Sequence, residues 1–176
     1  ASTSSQVVSE NMDINTYHET IPVPEEGWTA ETLNKTIYIN GKNVSFPFTI
    51  QDLGEGFEWH PEGFVLYETN NTAGNFLLYN GQEFAAVSVD ATNKDKLTEA
   101  KIINLYNTSS GISLLHVNGI TIGSTVNQVI NALGEPTEVY DPETVKSLYY
   151  ALDGYLIRFS LDNGSVGSII IKTEDK

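Results

Sequence analysis

The sequence predicts an α+β fold, in which a mostly antiparallel, curved sheet carries short helices on one face. Three observations predict it. Four Asn-Gly pairs each separate two apolar runs, as in β-hairpins. One segment has the marks of a short amphipathic helix. The same order of hairpin, short helix and strands occurs twice along the 176 residues, which indicates two degenerate tandem repeats.

The Asn-Gly pairs predict hairpins because a type I′ turn needs positive φ at both central residues. They are Asn40-Gly41, Asn80-Gly81, Asn118-Gly119 and Asn163-Gly164. Strands are predicted on either side of these turns, at 36–40, 42–46, 75–79, 83–89, 112–117, 120–122, 155–161 and 166–171. Further strands are predicted at 63–68, 101–106 and 145–151, and a helical turn at 94–99 within a polar loop.

The predicted helix begins after Ser124 or Thr125, whose hydroxyl can cap an unpaired backbone N–H. Gly134 is expected to end it in the left-handed conformation, and Pro136 prevents it from resuming. A counterpart of barely one turn is predicted over 49–53. The helix presents one apolar stripe, made of Val126, Val129, Ile130 and Leu133.

The last hairpin is predicted to be apolar on both faces. A two-residue turn at Asn163-Gly164 places one set on one face: Tyr155, Ile157, Phe159, Leu161, Val166 and Ile170. The opposite set is Leu156, Arg158, Ile169 and Ile171. One face is expected to meet the helices, and the other is either covered by the N-terminal half or a binding surface.

Composition and charge disfavour several classes of partner and exclude several kinds of site. The net charge is −14, which disfavours nucleic acid and anionic membranes as partners. Residues 1–93 carry 13 acids and two bases, either as a solvated surface or as a field that attracts a basic partner or cation. The absence of cysteine excludes disulfides and thiolate sites. No apolar run approaches the roughly 18 residues of a membrane span.

Three regions are predicted. Residues 1–26 are predicted to form a flexible tether, residues 27–110 an N-terminal helix-plus-sheet repeat, and residues 111–176 a C-terminal helix-plus-sheet repeat. Such a tether is typical of exported lipoproteins. The expected location is therefore extracytoplasmic, at the cell surface or secreted, with membrane contact only through an inferred N-terminal lipid anchor.

The second half, about 111–172, resembles the SmpA/OmlA-type repeat and the β-lactamase-inhibitor-protein-like fold. The residues that carry this resemblance are Gly123-Ser-Thr-x-x-x-Val129-x-x-x-Leu133-Gly134-x-Pro136, Tyr149-Tyr150, Leu156-Ile-x-Phe159 and Gly164-x-Val166-x-x-Ile169. The first half is similar to uncharacterised exported proteins of Gram-positive bacteria, through Ile39-Asn-Gly-Lys42 and Phe46-Pro-x-Thr49. The resemblance implies two repeats that form a curved sheet and grip a protein partner.

No convergent catalytic set is visible in the sequence. His18, His60 and His116 are too far apart in sequence for a local zinc pattern, so neither a metal nor a cofactor is predicted. Paired carboxylates remain as the alternative, an enzyme acting on cell-wall carbohydrate. The candidate pairs are Glu55 with Glu58, Glu135 with Glu138, and Asp141 with Glu143.

The predicted function is an exported, non-enzymatic module that binds another protein at or outside the cell envelope; a structural lipoprotein of envelope assembly is a further alternative. Tyr149 and Tyr150 must point to opposite faces of their strand, and Tyr150 shares its face with the apolar Leu148. Tyr149 is therefore assigned to the open side, with Arg158 on the next strand. Trp59 and Tyr67 are the binding candidates in the first half.

Overall fold

A computed structural model describes residues 16–141 and 145–173 of the chain. Two α-helices are present there, α1 (Ala30–Asn34) and α2 (Val126–Leu133), with 3-10 turns at Ile50–Leu53 and Lys94–Glu99. The strands are β1 (Ile37–Ile39), β2 (Lys42–Asn43), β3 (Phe57–Trp59), β4 (Val65–Tyr67), β5 (Thr72–Tyr79), β6 (Gln82–Asp90), β7 (Ile102–Thr108), β8 (Leu115–Val117), β9 (Glu138–Tyr140), β10 (Val145–Leu152), β11 (Tyr155–Asp162) and β12 (Ser165–Thr173). The predicted α+β class is confirmed.

The strands form two antiparallel sheets. The larger has the order β3-β5-β6-β7-β12-β11-β10-β9, and β4 pairs with the part of β5 that β3 leaves open. Its order is symmetrical about the central β7–β12 pair. The smaller sheet, β2-β1-β8, joins the first hairpin to the third. The halves predicted as separate regions thus share both sheets.

All four Asn-Gly turns have the predicted backbone. Each Asn has a φ of 48–56° and each Gly a φ of 82–86°. Asparagine and glycine tolerate this region because steric crowding there is least for them. The turns are therefore determined locally.

One hydrophobic core lies between the large sheet and the elements packed on its covered face. The sheet contributes fully buried side chains such as Leu77 and Phe159. The covering elements contribute Leu33 from α1, Leu115 from β8 and Leu133 from α2. Local alternation in β11 matches this arrangement, since every second residue of Tyr155–Leu161 is buried.

Helix α2 begins as predicted and ends in a different conformation. Thr125 caps it in a reciprocal box: its Oγ1 accepts the Gln128 N–H at 3.2 Å, and Gln128 Oε1 accepts the Thr125 N–H at 2.8 Å. Gly134 has φ 83° and ψ −170°. The φ is positive as predicted, but the extended ψ excludes the left-handed helical cap; this combination is essentially restricted to glycine. The Trp28 indole N–H satisfies the Leu133 carbonyl at 2.9 Å.

The faces predicted for β12 are wrong beyond Gly167, whereas Val166 shares the buried face with Leu161 as predicted. A bulge between Ser160 and Leu161 shifts the register, so that Phe159 pairs with Ile169 and Arg158 pairs with Ile170. An extra residue in one strand reverses the alternation of everything beyond it. Ile169 therefore faces the core, and Ile170 shares the opposite face with Arg158.

The N-terminal segment lies against the domain from residue 16 onward, in contrast to the flexible tether predicted over 1–26. The His18 ring stacks on His116 with centroids 4.5 Å apart. The Asn118 side chain accepts the Ile21 N–H at 2.9 Å and donates to the Ile21 carbonyl at 3.1 Å. A buried amide in the third turn thus holds the segment. The rest of the predicted tether, residues 1–15, lies outside the described residues.

Three short elements were absent from the prediction: α1, β3 and β9. Each has five residues or fewer, so its periodicity is too brief to recognise in a sequence. Tertiary pairing stabilises the two strands, β3 against β5 and β9 against β10. No helix within the described ranges has the length and apolar character needed to span a membrane.

Candidate binding site

The uncovered face of the large sheet forms a concave surface with a volume of about 760 Å³. None of the described helices packs on it, in contrast to the opposite face. We call this surface the trough. Its lining includes Tyr67, Phe76, Ala86, Ser88, Asn104, Tyr106, Tyr149, Leu156, Arg158, Ile170 and Lys172.

Strand register brings residues from seven strands of the large sheet into one line. Each member pairs directly with the next across neighbouring strands, and we call the line the central row. Its members, from β9 to β5, are Glu138, Tyr149, Arg158, Ile170, Tyr106, Ala86 and Phe76. Adjacent members lie about 5 Å apart, so neighbouring side chains can contact one ligand together.

Three rings of the trough are exposed well beyond the usual level for large apolar side chains. Tyr67 is 52% exposed, Tyr106 43% and Phe76 42%. Tyr149 is half-buried beside Arg158. Aromatic rings bury much area while losing few rotamers, which suits them to anchor a bound partner.

The β4 end of the trough is built by a close approach. A side-chain carbon added at Gly74 would lie 3.2 Å from the Tyr67 ring, so glycine leaves room for that ring over β5. The loop before β4 is held to β5 by the His60 N–H, which donates to the Phe76 carbonyl at 3.0 Å. This loop forms one wall of the trough.

Charge in the trough is separated between its two ends. Arg158 and Lys172 lie on β11 and β12, and Glu62 and Glu83 lie at the β4–β6 end. Strand spacing puts the bases about 10–14 Å from β6. Among the described residues, none makes a hydrogen bond or ion pair with the Arg158 side chain, whose Nε is buried without a partner.

The structure brings together three of the four predicted site residues, Tyr67, Tyr149 and Arg158. Trp59 lies elsewhere. It pairs with Leu77, a covered-face residue, and its indole N–H donates to the Thr98 carbonyl at 3.1 Å. Its ring also lies 4.8 Å from that of Phe64. The strand pairing of β3, which the sequence did not reveal, turns this ring away from the trough.

Sequence reasoning missed Phe76, Tyr106 and Lys172. Tyr106 lies between two residues that face the core, Leu105 and Asn107. An aromatic residue out of phase with the buried residues of its strand was the available signal. Assignment of Tyr106 to the trough also required the register of β6 and β7, which shifts at a bulge between Ser88 and Val89.

None of the predicted paired carboxylates that fall within the described ranges lines the trough. Glu55, Glu58, Glu135 and Glu138 are exposed. Of these, only Glu138 belongs to the central row, next to Tyr149. Glu143, a member of the remaining pair, lies outside the described residues. Within those ranges, no group of three or more His, Asp or Glu side chains is arranged to hold a metal ion.

The histidines are divided between the two faces. His60 lines the trough, whereas His18 and His116 stack beside the small sheet. Burial, together with the neighbouring His18, lowers the pKa of His116 to about 4. The neutral imidazole is therefore part of the folded structure at neutral pH.

No family model matches the chain, and no curated protein matches its sequence. Among solved structures, the chain is similar to the crystal structure of a DUF4309 family protein, YjgB, from Bacillus subtilis subsp. subtilis str. 168. The similarity has a TM-score of 0.33 and 14% identity, over 72% of this chain and 72% of that chain. A similarity of this size assigns neither a family nor a function.

Proposed function

We propose that the chain is a non-enzymatic module that binds another protein through the trough. The observation that carries the proposal is the set of rings along one sheet face, of which Tyr67, Phe76 and Tyr106 are exposed and Tyr149 is half-buried. Aromatic anchors around a concave centre are typical of protein interfaces. A location outside the cytoplasm and a resemblance to the SmpA/OmlA-type repeat belong to the same proposal.

The proposal includes two degenerate tandem repeats. The symmetrical strand order of the large sheet and the pairing of β1 with β8 support it. Further support comes from the capped turn that follows the first hairpin of each half, after Thr49 and after Thr125. In this arrangement the trough spans the junction of the repeats, because β7 and β12 form its floor.

A comparison of the wild-type chain with a triple variant tests the proposal. The variant carries Tyr67→Ala, Tyr106→Ala and Tyr149→Ala, and circular dichroism checks its fold. Extracellular proteins captured by the wild type are purified, and direct binding is measured for both chains. The proposal predicts that at least one partner binds directly and loses at least tenfold in affinity with the variant. Equal affinity for every partner would contradict it.

The carbohydrate-enzyme alternative is tested by comparing the wild type with variants of the paired carboxylates. Hydrolysis of cell-wall glycan by the wild type, lost when one of the paired carboxylates is changed to the amide, would replace the binding proposal. Glu138→Gln is the first variant to examine, because Glu138 lies in the central row.

A further inference from the structure

We propose that the trough binds an extended acidic segment of a protein partner, with one carboxylate of that segment held by Arg158. The inference rests on the proposed function and names the chemistry of the partner. It is carried by three features of the β11–β12 end: the rare positive charge, the unpaired hydrogen-bonding atoms and the flanking rings.

Positive charge is scarce in this protein, and two of its nine bases, Arg158 and Lys172, line the trough. The chain has 23 acids and nine bases, and Arg158 is its single arginine. Lys172 lies on the neighbouring strand of the same face, two residues beyond the partner of Arg158, Ile170. Such diagonal neighbours are about 7–8 Å apart, within the reach of two long side chains toward one anion. The local charge is thus complementary to an acidic group.

The Arg158 side chain has an unfilled hydrogen-bonding capacity. Its guanidinium is always charged and presents N–H groups in a fork that matches the two oxygens of a carboxylate. Its Nε is buried without a hydrogen-bond acceptor, and no acid among the described residues pairs with it. The terminal Nη groups are not buried in this way, so a ligand carboxylate can reach them and pair with the charge.

A second unpaired atom distinguishes a peptide from a bare anion. Asn104 Oδ1 is also buried without a partner, and Asn104 pairs directly with Lys172. A carbonyl oxygen accepts hydrogen bonds and repels anions, so a ligand that carries a donor beside its carboxylate matches this pair of side chains better than a bare anion does. An extended peptide supplies both groups, a side-chain carboxylate for Arg158 and a backbone N–H for Asn104.

The rings on either side of Arg158 select the neighbours of the acidic residue. Tyr149 is one strand away and Tyr106 is two strands away on the other side, at about 5 and 10 Å. In an extended peptide, residues two positions apart lie about 7 Å apart on the same side. An apolar or aromatic residue two positions from the acid therefore reaches one of these rings.

The acids at the far end give the segment a direction. Glu62 and Glu83 repel further carboxylates there, so the acidic residue is expected at the β11–β12 end. The same charge argues against a second copy of this chain as the occupant, because each copy carries a net charge of −14 and the two repel.

Three synthetic peptide pools test the inference. The peptides are seven residues long, with an acetylated N-terminus and an amidated C-terminus. Two residues two positions apart are fixed: the first is Phe, and the second is Glu in one pool, Gln in another and Lys in the last. The other positions vary among Gly, Ala, Ser and Thr. Each pool is titrated into the full-length ¹⁵N-labelled chain, and amide shifts locate the binding site. We expect the Glu pool to shift amides of β11 and β12 and to bind about tenfold more tightly than the Gln pool.

Variants connect that preference to the side chain. Arg158→Gln is expected to abolish the difference between the Glu and Gln pools, and Arg158→Lys to reduce it, since lysine keeps the charge and loses the fork. Lys35→Gln is the matched control, because it removes an exposed cation outside the trough and should preserve the difference. If Arg158→Gln fails to fold, Arg158→Lys decides the outcome by the same readout.

Several results would overturn the inference: equal binding of the Glu and Gln pools, a preference that persists in Arg158→Gln, or no shift of trough amides at about 1 mM peptide. Acetate that produces the same shifts at the same concentration would show a bare anion site instead. Tyr106→Ala separates this inference from the proposed function. If the Glu and Gln pools bind the wild type with equal affinity and both bind Tyr106→Ala more weakly, the proposed role of the ligand carboxylate is wrong. Binding by the trough would still be supported.

Discussion

The two faces of the large sheet are built by the same strands and have opposite chemistry. On β11, Phe159 is 0% exposed in the core, and its neighbour Arg158 points into the trough. The covered face is almost wholly apolar, because α1, α2 and the small sheet remove it from water. The open face combines rings, small residues and two bases. The covered face therefore supplies the core, and the open face carries the residues of the proposed binding site.

The largest expected effect is on the covered face. Phe159→Ala should lower the free energy of unfolding by about 3–5 kcal/mol, the usual cost of removing a buried phenylalanine. Its ring packs edge-on against Tyr150 at 5.9 Å, so the change also removes an aromatic contact. Urea denaturation measures the effect. The adjacent Arg158→Ala is the matched control and should cost less than about 1 kcal/mol. Similar costs for both variants would contradict the assignment of the faces.

The covering layer is tested next. Leu133→Ala should cost about 2–5 kcal/mol, because Leu133 is 3% exposed and closes the apolar stripe of α2. Asn131→Ala, on the exposed side of the same helix, serves as the control in the same denaturation experiment. A loss below about 1 kcal/mol for Leu133→Ala would show that α2 contributes little to the cover.

Acidic pH should lower the free energy of unfolding through protonation of His116, which lies on the covered side of the large sheet. Its folded-state pKa of about 4 lies below the ordinary value of 6.5, so the unfolded chain binds the proton more readily. This contribution is complete above pH 6.5 and is lost as the pH falls toward 4. After a discount for partial solvent access, the loss is about 1–2 kcal/mol at pH 4.5.

Thermal unfolding between pH 7 and 4.5 measures this contribution. His18 stacks on the ring, Tyr38 pairs with His116 across the strands, and Glu19 lies close to Tyr38. Other acids titrate in the same range, so the relevant quantity is the difference between the wild type and His116→Gln. His60→Gln, in the trough, should follow the wild type. A pH dependence of His116→Gln equal to that of the wild type would exclude His116 as its source.

The smallest effect on stability is expected on the open face. Tyr149→Ala should change the free energy of unfolding by less than about 1 kcal/mol, because the ring is half-buried and outside the core. The adjacent Tyr150→Ala should cost several times more, since Tyr150 is 6% exposed and its hydroxyl donates to the Gly134 carbonyl at 2.8 Å. A protein that binds the trough should have a lower affinity for Tyr149→Ala than for the wild type. Its affinity for Lys42→Ala, a variant on the rim of the small sheet, should equal that for the wild type.

Part of the candidate site was predictable from sequence. Alternation in β10 predicts Tyr149 on the open side, where it lies. Arg158 is predicted as a cation on the next strand that can stack on that ring, and Tyr67 as the corresponding candidate in the first half; both line the trough. Their arrangement in one trough was not predictable. It depends on β7 pairing with β12, which joins residues some 60 positions apart, and no local pattern encodes that choice.

The sequence by itself determined the four Asn-Gly turns, the capped start of α2 and the position at which α2 ends, because backbone sterics and capping act over a few residues. Only the tertiary structure decided the direction of Trp59, the faces of β12 and the docking of residues 16–26. The bulge in β12 shows the reason most directly. Gly167 is its extra residue, because Leu161 pairs with Val166 and Ser160 pairs with Ser168. A regular alternation read from the sequence does not locate such a residue, and pairing with β11 decided that Ile169 and Ile171 are buried, because burial is a property of the assembled sheet.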